Sequence, residues 1–179
     1  ELDGVLVEAS PGESIWAVAA RLGQTLPHLC HTEEPGYRAD GNCRACVVEI
    51  DGERTLAASC RRLPEAGMAV KTLSERSGKA RAMVMELLLA DQPPRAEALD
   101  PDASFWRWAD AQGIADSRFP ARGAPPPPDL SHPAMRVNLD ACIQCNLCVR
   151  ACSEVQVNDV IAMAGRGADS HIADRKSTR

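Results

Sequence analysis

One run near the end of the chain, Cys142-Ile143-Gln144-Cys145-Asn146-Leu147-Cys148-Val149-Arg150-Ala151-Cys152, constrains its fold more than any other stretch. The spacing C-x2-C-x2-C-x3-C is that of a [4Fe–4S] ligand run. Three thiolates set three residues apart sit on one tight loop and hold three corners of a cubane. The fourth, at the start of a helical turn, points away from them. Where such a fourth Cys serves a second cluster a Pro follows it; here Ser153 follows. A zinc site or a disulfide is the plainer alternative. Structural zinc usually takes two C-x2-C knuckles far apart in sequence, a poor match to three Cys between positions 142 and 148.

Metal also suits the composition. Aromatic residues make up only 3% of the 179 residues, and the apolar fraction leans on Ala. Small lobes nucleated by a metal centre are therefore expected rather than one large core. A net charge of −5 is opposite in sign to the footprint of a nucleic-acid binder. No apolar stretch is long enough to span a bilayer, and no secretory segment is visible. Eight Cys in that setting point to a reducing, cytoplasmic compartment and to metal binding. Position 1 is Glu, the first Met is Met68, and the end 173–179 is polar without a periodic pattern. The chain is expected to be a piece of something longer.

Residues 1–73 read as a small α+β lobe. Asp3-Gly4 makes a hairpin turn into a strand at 5–7. Ser14 caps a helix over 15–22 that Gly23 ends, with Ile15, Val18, Ala19 and Leu22 as its buried stripe. A second hairpin joins 47–50 to 54–57 through Asp51-Gly52, and 68–72 is a last strand. Four Cys lie in this lobe, Cys30, Cys43, Cys46 and Cys60, spaced x12, x2 and x13. Two of them sit on a loop feeding directly into a strand. Gly41 lets the backbone approach a bridging sulfide, and Ala45, Ala58 and Ser59 keep the surroundings free of bulk. Spacing alone leaves a four-Cys zinc site open. His31, beside Cys30, is read as lying outside the ligand set. Arg44, Arg61 and Arg62 either raise a cluster potential, dock a partner or are solvated.

The text around these Cys is more specific. Pro27-His28-Leu29-Cys30-His31, then GNCRACVVEI over 41–50, Ala58-Ser59-Cys60 and 66–72 resemble the N-terminal [2Fe–2S] domain of a known family. That family includes the large iron–sulfur subunit of complex I, diaphorase subunits of NAD-linked hydrogenases and alpha subunits of NAD-dependent formate dehydrogenases. The resemblance implies a ferredoxin-like β-grasp domain whose [2Fe–2S] cluster is held by Cys30, Cys43, Cys46 and Cys60.

Residues 74–133 read as a connecting region. Ser74 caps a helix to about position 90, with Ala80, Met83, Val84, Leu87 and Leu88 on one face, and Pro93-Pro94 stops it. In most members of the family a site of one His and three Cys for a further [4Fe–4S] cluster follows. No Cys occurs between Cys60 and Cys142 and no His between His31 and His132, so that cluster is not expected. Phe105-Trp106-Arg107-Trp108 is read as pinning a loop-rich linker, Pro125–Pro128 as an extended spacer, and His132 as structural.

Residues 134–179 read as one half of a bacterial-type [4Fe–4S] ferredoxin domain. A strand at 135–139, the cysteine loop, a helix over 148–155 and a strand at 160–164 without a pairing partner are expected. NLDACIQCNLCVRAC over 138–152 and its continuation, together with Ser117-Arg118-Phe119-Pro120 and 131–135, resemble the alpha subunit of cytosolic, molybdenum-dependent, NAD-linked formate dehydrogenases. The resemblance implies an electron-transfer module that relays electrons from a molybdenum site towards flavin/NAD-binding subunits, alongside further iron–sulfur subunits. Molybdopterin would belong to the full-length parent only. Cys142, Cys145, Cys148 and Cys152 would be ligands of a [4Fe–4S] cluster, with Cys152 the fourth of that cluster or a ligand of a second. No catalytic residue, nucleic-acid surface or membrane segment is expected. A stand-alone diaphorase-type subunit and a zinc-stabilised interaction protein are the alternatives.

Overall fold

A computed structural model of the chain describes residues 1–121, 123, 129–132 and 135–175. They divide into two compact units. The first comprises Glu1–Thr32 and Arg38–Met85, the second Glu33–Tyr37 and Glu86–Arg179.

The first unit is a small ferredoxin-like α+β fold. Helix α1 (Ile15–Arg21) accompanies a three-stranded antiparallel sheet of β1 (Val47–Ile50), β2 (Ala57–Ala58) and β3 (Val70–Lys71), in the order β2-β1-β3. Val47 faces Ala58 across one side of β1, and Ile50 faces Val70 across the other. Leu2 adds a parallel bridge to Val70, so the start of the chain extends the sheet beyond β3. The Asp3-Gly4 turn forms as expected, both residues at positive φ (46° and 86°). The strand expected at 5–7 does not form; pairing stops at the Leu2–Val5 bridge, and Leu6 is 88% exposed. The second hairpin forms, but its return strand is shifted from the expected 54–57 to Ala57–Ala58 and is only two residues long, pairing Val47 with Ala58 and Val48 with Ala57.

Ser14 caps α1, its Oγ accepting the amide of Ala17 at 3.2 Å. Ile15, Val18 and Ala19 are buried as the spacing predicts. Leu22 is not, because it is the C-cap residue, where the chain turns away from the helix axis. Trp16 is buried in its place. These residues form one core with Leu26, Val48, Ile50 and Val70, and two Cys, Cys46 and Cys60, belong to it.

Helix α2 (Glu75–Leu89) is present with Ser74 accepting the Ser77 amide at 3.1 Å. Its buried face is not the expected one. Ser77, Arg81 and Met85, spaced four apart, are covered together with Glu86, while Met83 and Leu87 are 38% and 47% exposed. The polar partners waiting for Ser77 and Arg81 outweigh the apolar stripe.

In the second unit, Phe105 and Trp106 lie on helix α3 (Ser104–Ala111), not in an irregular linker. Their rings meet edge to face at 5.0 Å, and the Arg95 guanidinium sits 5.6 Å over Trp106. Glu86 is gripped by Arg118, through Nε at 2.7 Å, Nη2 at 2.9 Å and the backbone amide at 2.8 Å. The Arg118 guanidinium and amide hold the Glu86 carboxyl down at about 2. The proline run 125–128 and the side chain of His132 lie outside the described residues.

Further on, β4 (Asp129–His132) pairs with β5 (Met135–Val137), and α4 (Leu147–Arg150) continues as one π-helical turn over Ala151–Val155. Strand β6 (Ile161–Ala164) is not left unpaired. It forms a four-pair antiparallel hairpin with β7 (His171–Asp174), from Ile161 opposite Asp174 to Ala164 opposite His171. Of the end read as patternless, β7 takes in only Ala173 and Asp174, and 176–179 lie outside the described residues.

Candidate iron–sulfur sites

Cys30, Cys43, Cys46 and Cys60 come from separate pieces of chain, and the fold gathers them. Cys46 immediately precedes β1 and Cys60 follows β2, so the β1–β2 pairing places both at one end of the sheet. Ser59 fastens that end, its Oγ donating to the Cys46 carbonyl at 2.7 Å and its amide to the same oxygen at 3.3 Å. The start of α1 holds the loop from behind. The first amides of a helix have no partner within it; here Ile15 donates to the Arg62 carbonyl at 2.9 Å and Trp16 to that of Ser59 at 3.0 Å. The Cys43 amide donates to Cys30 Sγ at 3.3 Å, and the Ala45 amide to Cys43 Sγ at 3.5 Å.

Cys60 feels Cys46, Cys30 and Cys43 together, so all four sulfurs lie near one another. Cys30 shares a side-chain hydrogen bond with Cys43, and Cys46 shares one with Cys60. In each pair one thiolate accepts the other's proton. Cys43 and Cys46 are drawn down to about 6 by that bond, while Cys30 and Cys60 are pushed up by it and by burial. A lone zinc needs four thiolates at about 2.3 Å from a single point. Two irons bridged by sulfide need four thiolates as well, a pair on each iron. Cys30, Cys46 and Cys60 are buried and Cys43 half-buried, with Ala45 and Ser59 fully covered beside them. The residues present therefore fit a [2Fe–2S] group.

Gly41 carries a φ of 70°, which favours glycine, and a Cβ there would lie 3.0 Å from the Arg61 side chain. Its local task is thus to admit Arg61. His31 turns to Trp16, ring to ring at 4.6 Å, and His28 meets the same indole at 4.9 Å. Arg62 is paired with Glu53 at 2.9 Å and Glu65 at 3.0 Å, whereas Arg44 and Arg61 are exposed. Arg81, the only buried arginine among the described residues of the first unit, is not among the candidates the sequence suggests. Its signal is faint: a Ser-x3-Arg spacing on the face of α2 that follows the last strand.

The second group, Cys142, Cys145, Cys148 and Cys152, occupies a loop and the helix after it. Gln144 and Asn146 both take left-handed conformations (φ 54° and 63°), so the backbone reverses sharply around Cys145. The Gln144 amide nitrogen donates to the Ser170 carbonyl at 3.2 Å, tying the loop to the start of β7. Cys148 and Cys152 lie one helical turn apart on one face. The Cys148 thiol, although the residue is exposed, is raised first by desolvation and then by Cys142 and Cys152 nearby. Cys152 is anchored separately: its Sγ accepts the Val160 amide at 3.3 Å, and its carbonyl accepts Asn158 at 2.9 Å. Arg150, 4% exposed, lies 5.6 Å over the Tyr37 ring and pairs with Glu154 at 3.5 Å. No helix among the described residues is long and apolar enough to cross a membrane.

Residues 1–75 match a family described as a 2Fe-2S iron-sulfur cluster binding domain. The chain is 30% identical over 175 residues to an NADH-quinone oxidoreductase subunit of Rhizobium meliloti, covering 96% of this chain and 20% of that protein. It is equally 30% identical over 175 residues to the mitochondrial NADH-ubiquinone oxidoreductase 78 kDa subunit of Neurospora crassa, covering 96% of this chain and 23% of that one. The chain thus spans about a fifth of the length of these curated relatives. Among solved structures, a chain of an NAD+-reducing [NiFe]-hydrogenase in the H2-reduced state superposes with a TM-score of 0.86 at 30% identity, covering 98% of this chain and 74% of that one.

Proposed function

We propose, for a chain that belongs through its 2Fe-2S domain with the 78 kDa-type subunits of NADH–quinone oxidoreductase and with NAD+-reducing hydrogenase, that it serves as an electron-transfer module with two iron–sulfur sites. The observation that carries this reading is the gathering of Cys30, Cys43, Cys46 and Cys60, from separate pieces of chain, at one end of the sheet of a domain that matches a 2Fe-2S family over residues 1–75. A [2Fe–2S] group bound there accepts and gives up one electron at a time. The chain's own contribution is to hold the thiolates, donate backbone hydrogen bonds to sulfur and limit water. Each of these adjusts the potential without chemistry at the protein. The second cysteine group would bind a [4Fe–4S] cluster through Cys142, Cys145 and Cys148, with Cys152 as the fourth ligand or as a ligand of another cluster.

The finer reading is the N-terminal part of the alpha subunit of an NAD-linked formate dehydrogenase. It rests on the text of 138–152 and on the stretch from Cys60 to Cys142, which holds no Cys for an intervening cluster. In that setting electrons would pass from a molybdenum site through this module towards a flavin/NAD-binding subunit, in the cytoplasm. Capturing the native assembly through this chain and assaying it with formate, H2 and NADH as separate donors tests that assignment. Formate-dependent NAD+ reduction is the expected result. Activity with H2 or with NADH and a quinone, and none with formate, would move the chain to one of the other two enzyme classes.

A further inference from the structure

Where α2 leaves the last strand, the first unit contains a buried polar layer. Thr72 is 1% exposed, Ser77 fully buried and Arg81 only 7% exposed. Asp3 takes both donors of Thr72, the amide at 2.7 Å and the hydroxyl at 2.6 Å, and a third bond from Gln24 at 3.1 Å. The Arg81 guanidinium spends its bonds on neutral acceptors instead: the Thr72 carbonyl, the Ser77 hydroxyl at 3.0 Å and the Ser77 carbonyl at 3.3 Å. Among the described residues it makes no ion pair. A guanidinium does not lose its proton in a protein, so a full positive charge is buried here without a touching counter-ion. Such charges are costly unless an anion is close.

The strand register supplies the anion. Glu49 faces Lys71 and Ile50 faces Val70, so the next step along the antiparallel pair sets Thr72 beside Val48, two residues from Cys46. Strands lie about 4.8 Å apart, which brings a guanidinium resting on the Thr72 carbonyl close behind the Cys46–Cys60 pair. Burial lowers the Arg81 guanidinium from its ordinary value, and Cys46 and then Asp3 draw it back up.

We infer that Arg81 is the buried counter-charge of the [2Fe–2S] site and holds its reduction potential up. This rests on the cluster reading above. A sulfide-bridged cluster with four thiolates is anionic, and reduction adds one more negative charge to it. A fixed cation behind Cys46 therefore stabilises the reduced form more than the oxidised one. Arg44 and Arg61, on the exposed side of the same site, face water and are screened.

The test is a redox titration of the anaerobically reconstituted full chain, dithionite as reductant, followed by the electron paramagnetic signal of the reduced [2Fe–2S] centre. Arg81→Met should shift the equilibrium for one-electron reduction about tenfold towards the oxidised form, about 59 mV for one electron. Arg81→Lys should restore most of it. The shift should persist in about 1 M salt, while any shift from Arg44→Gln should vanish there. An unchanged midpoint in Arg81→Met, with wild-type iron content and spectrum, would overturn the inference. If Arg81→Met fails to hold iron, Asp3→Asn decides. Removing the other charge near Arg81 should move the midpoint the opposite way, and an equal or lower midpoint would also overturn it. Absence of any cluster in the wild-type chain would instead refute the underlying cluster reading.

Discussion

The two cysteine groups are equal in number and differ in almost everything that holds them. Cys30, Cys46 and Cys60 are buried, and two of them belong to the apolar core of a sheet-and-helix fold. Cys142, Cys145 and Cys152 are half-buried and Cys148 is exposed, on a loop with two left-handed residues and a helix of four residues followed by a π turn. In the first unit the protein folds around its thiols with its own hydrophobic contacts. In the second, the loop lies among short strands, and Leu139 and Arg150 are the covered side chains near it among the described residues. A metal centre would supply a far larger share of the order there.

That contrast predicts a graded set of losses. The largest is Cys46→Ser, which removes one member of a buried pair and leaves Cys60 without its partner. The variant should lose the [2Fe–2S] spectrum completely while keeping the second centre, as visible absorption and iron analysis would show. Loss of both centres together would break the separation between the two units.

Next comes packing. Ile15 is 2% exposed in the core of the first unit, and Ile15→Ala should destabilise that unit by about 2–5 kcal/mol. Amide exchange should speed up across β1 and leave β6–β7 unchanged. Equal acceleration in both hairpins would mean that the units unfold as one.

The third effect is one of pH. Glu86 titrates at about 2 in the folded chain against 4.5 ordinarily. Its folded value is depressed, so the stabilisation by Arg118 is complete above about 4.5 and is lost as pH falls towards 2. Glu86→Gln should flatten the acid side of the stability curve of the second unit between those values. A curve parallel to wild type would show that the contact contributes nothing. The smallest effect is at the cap: Ser14→Ala should cost about 1 kcal/mol, seen as a small drop in the unfolding midpoint of the first unit only.

The same contrast explains what could be read from the sequence. Cap, turn and strand signals in the first unit are local, so Ser14, Asp3-Gly4 and strand β1 were legible, while the return strand lies later than the Asp51-Gly52 turn suggested. The family resemblance, carried by the text around Cys30, Cys43, Cys46 and Cys60, was legible as well. Which face of α2 is buried was not. Arg81 is covered because Thr72 and Ser77 offer it acceptors, and those sit together only once β3 has paired with β1. The partner of β6 was hidden for a related reason. His171 and Asp174 give β7 a polar outline, yet four cross-strand pairs define it. Phe105 and Trp106 were legible as anchors but not as part of a helix, because eight residues are too few to assert its period.

The central claim is that the first unit holds a [2Fe–2S] cluster independently of the second cysteine group. The direct measurement is iron content and the reduced-state paramagnetic spectrum of the full chain with Cys142, Cys145, Cys148 and Cys152 all changed to Ser, after anaerobic reconstitution. About two irons per chain and a rhombic signal on reduction by dithionite are the expected result. Zinc in place of iron, or no signal with the fold intact by circular dichroism, would contradict it.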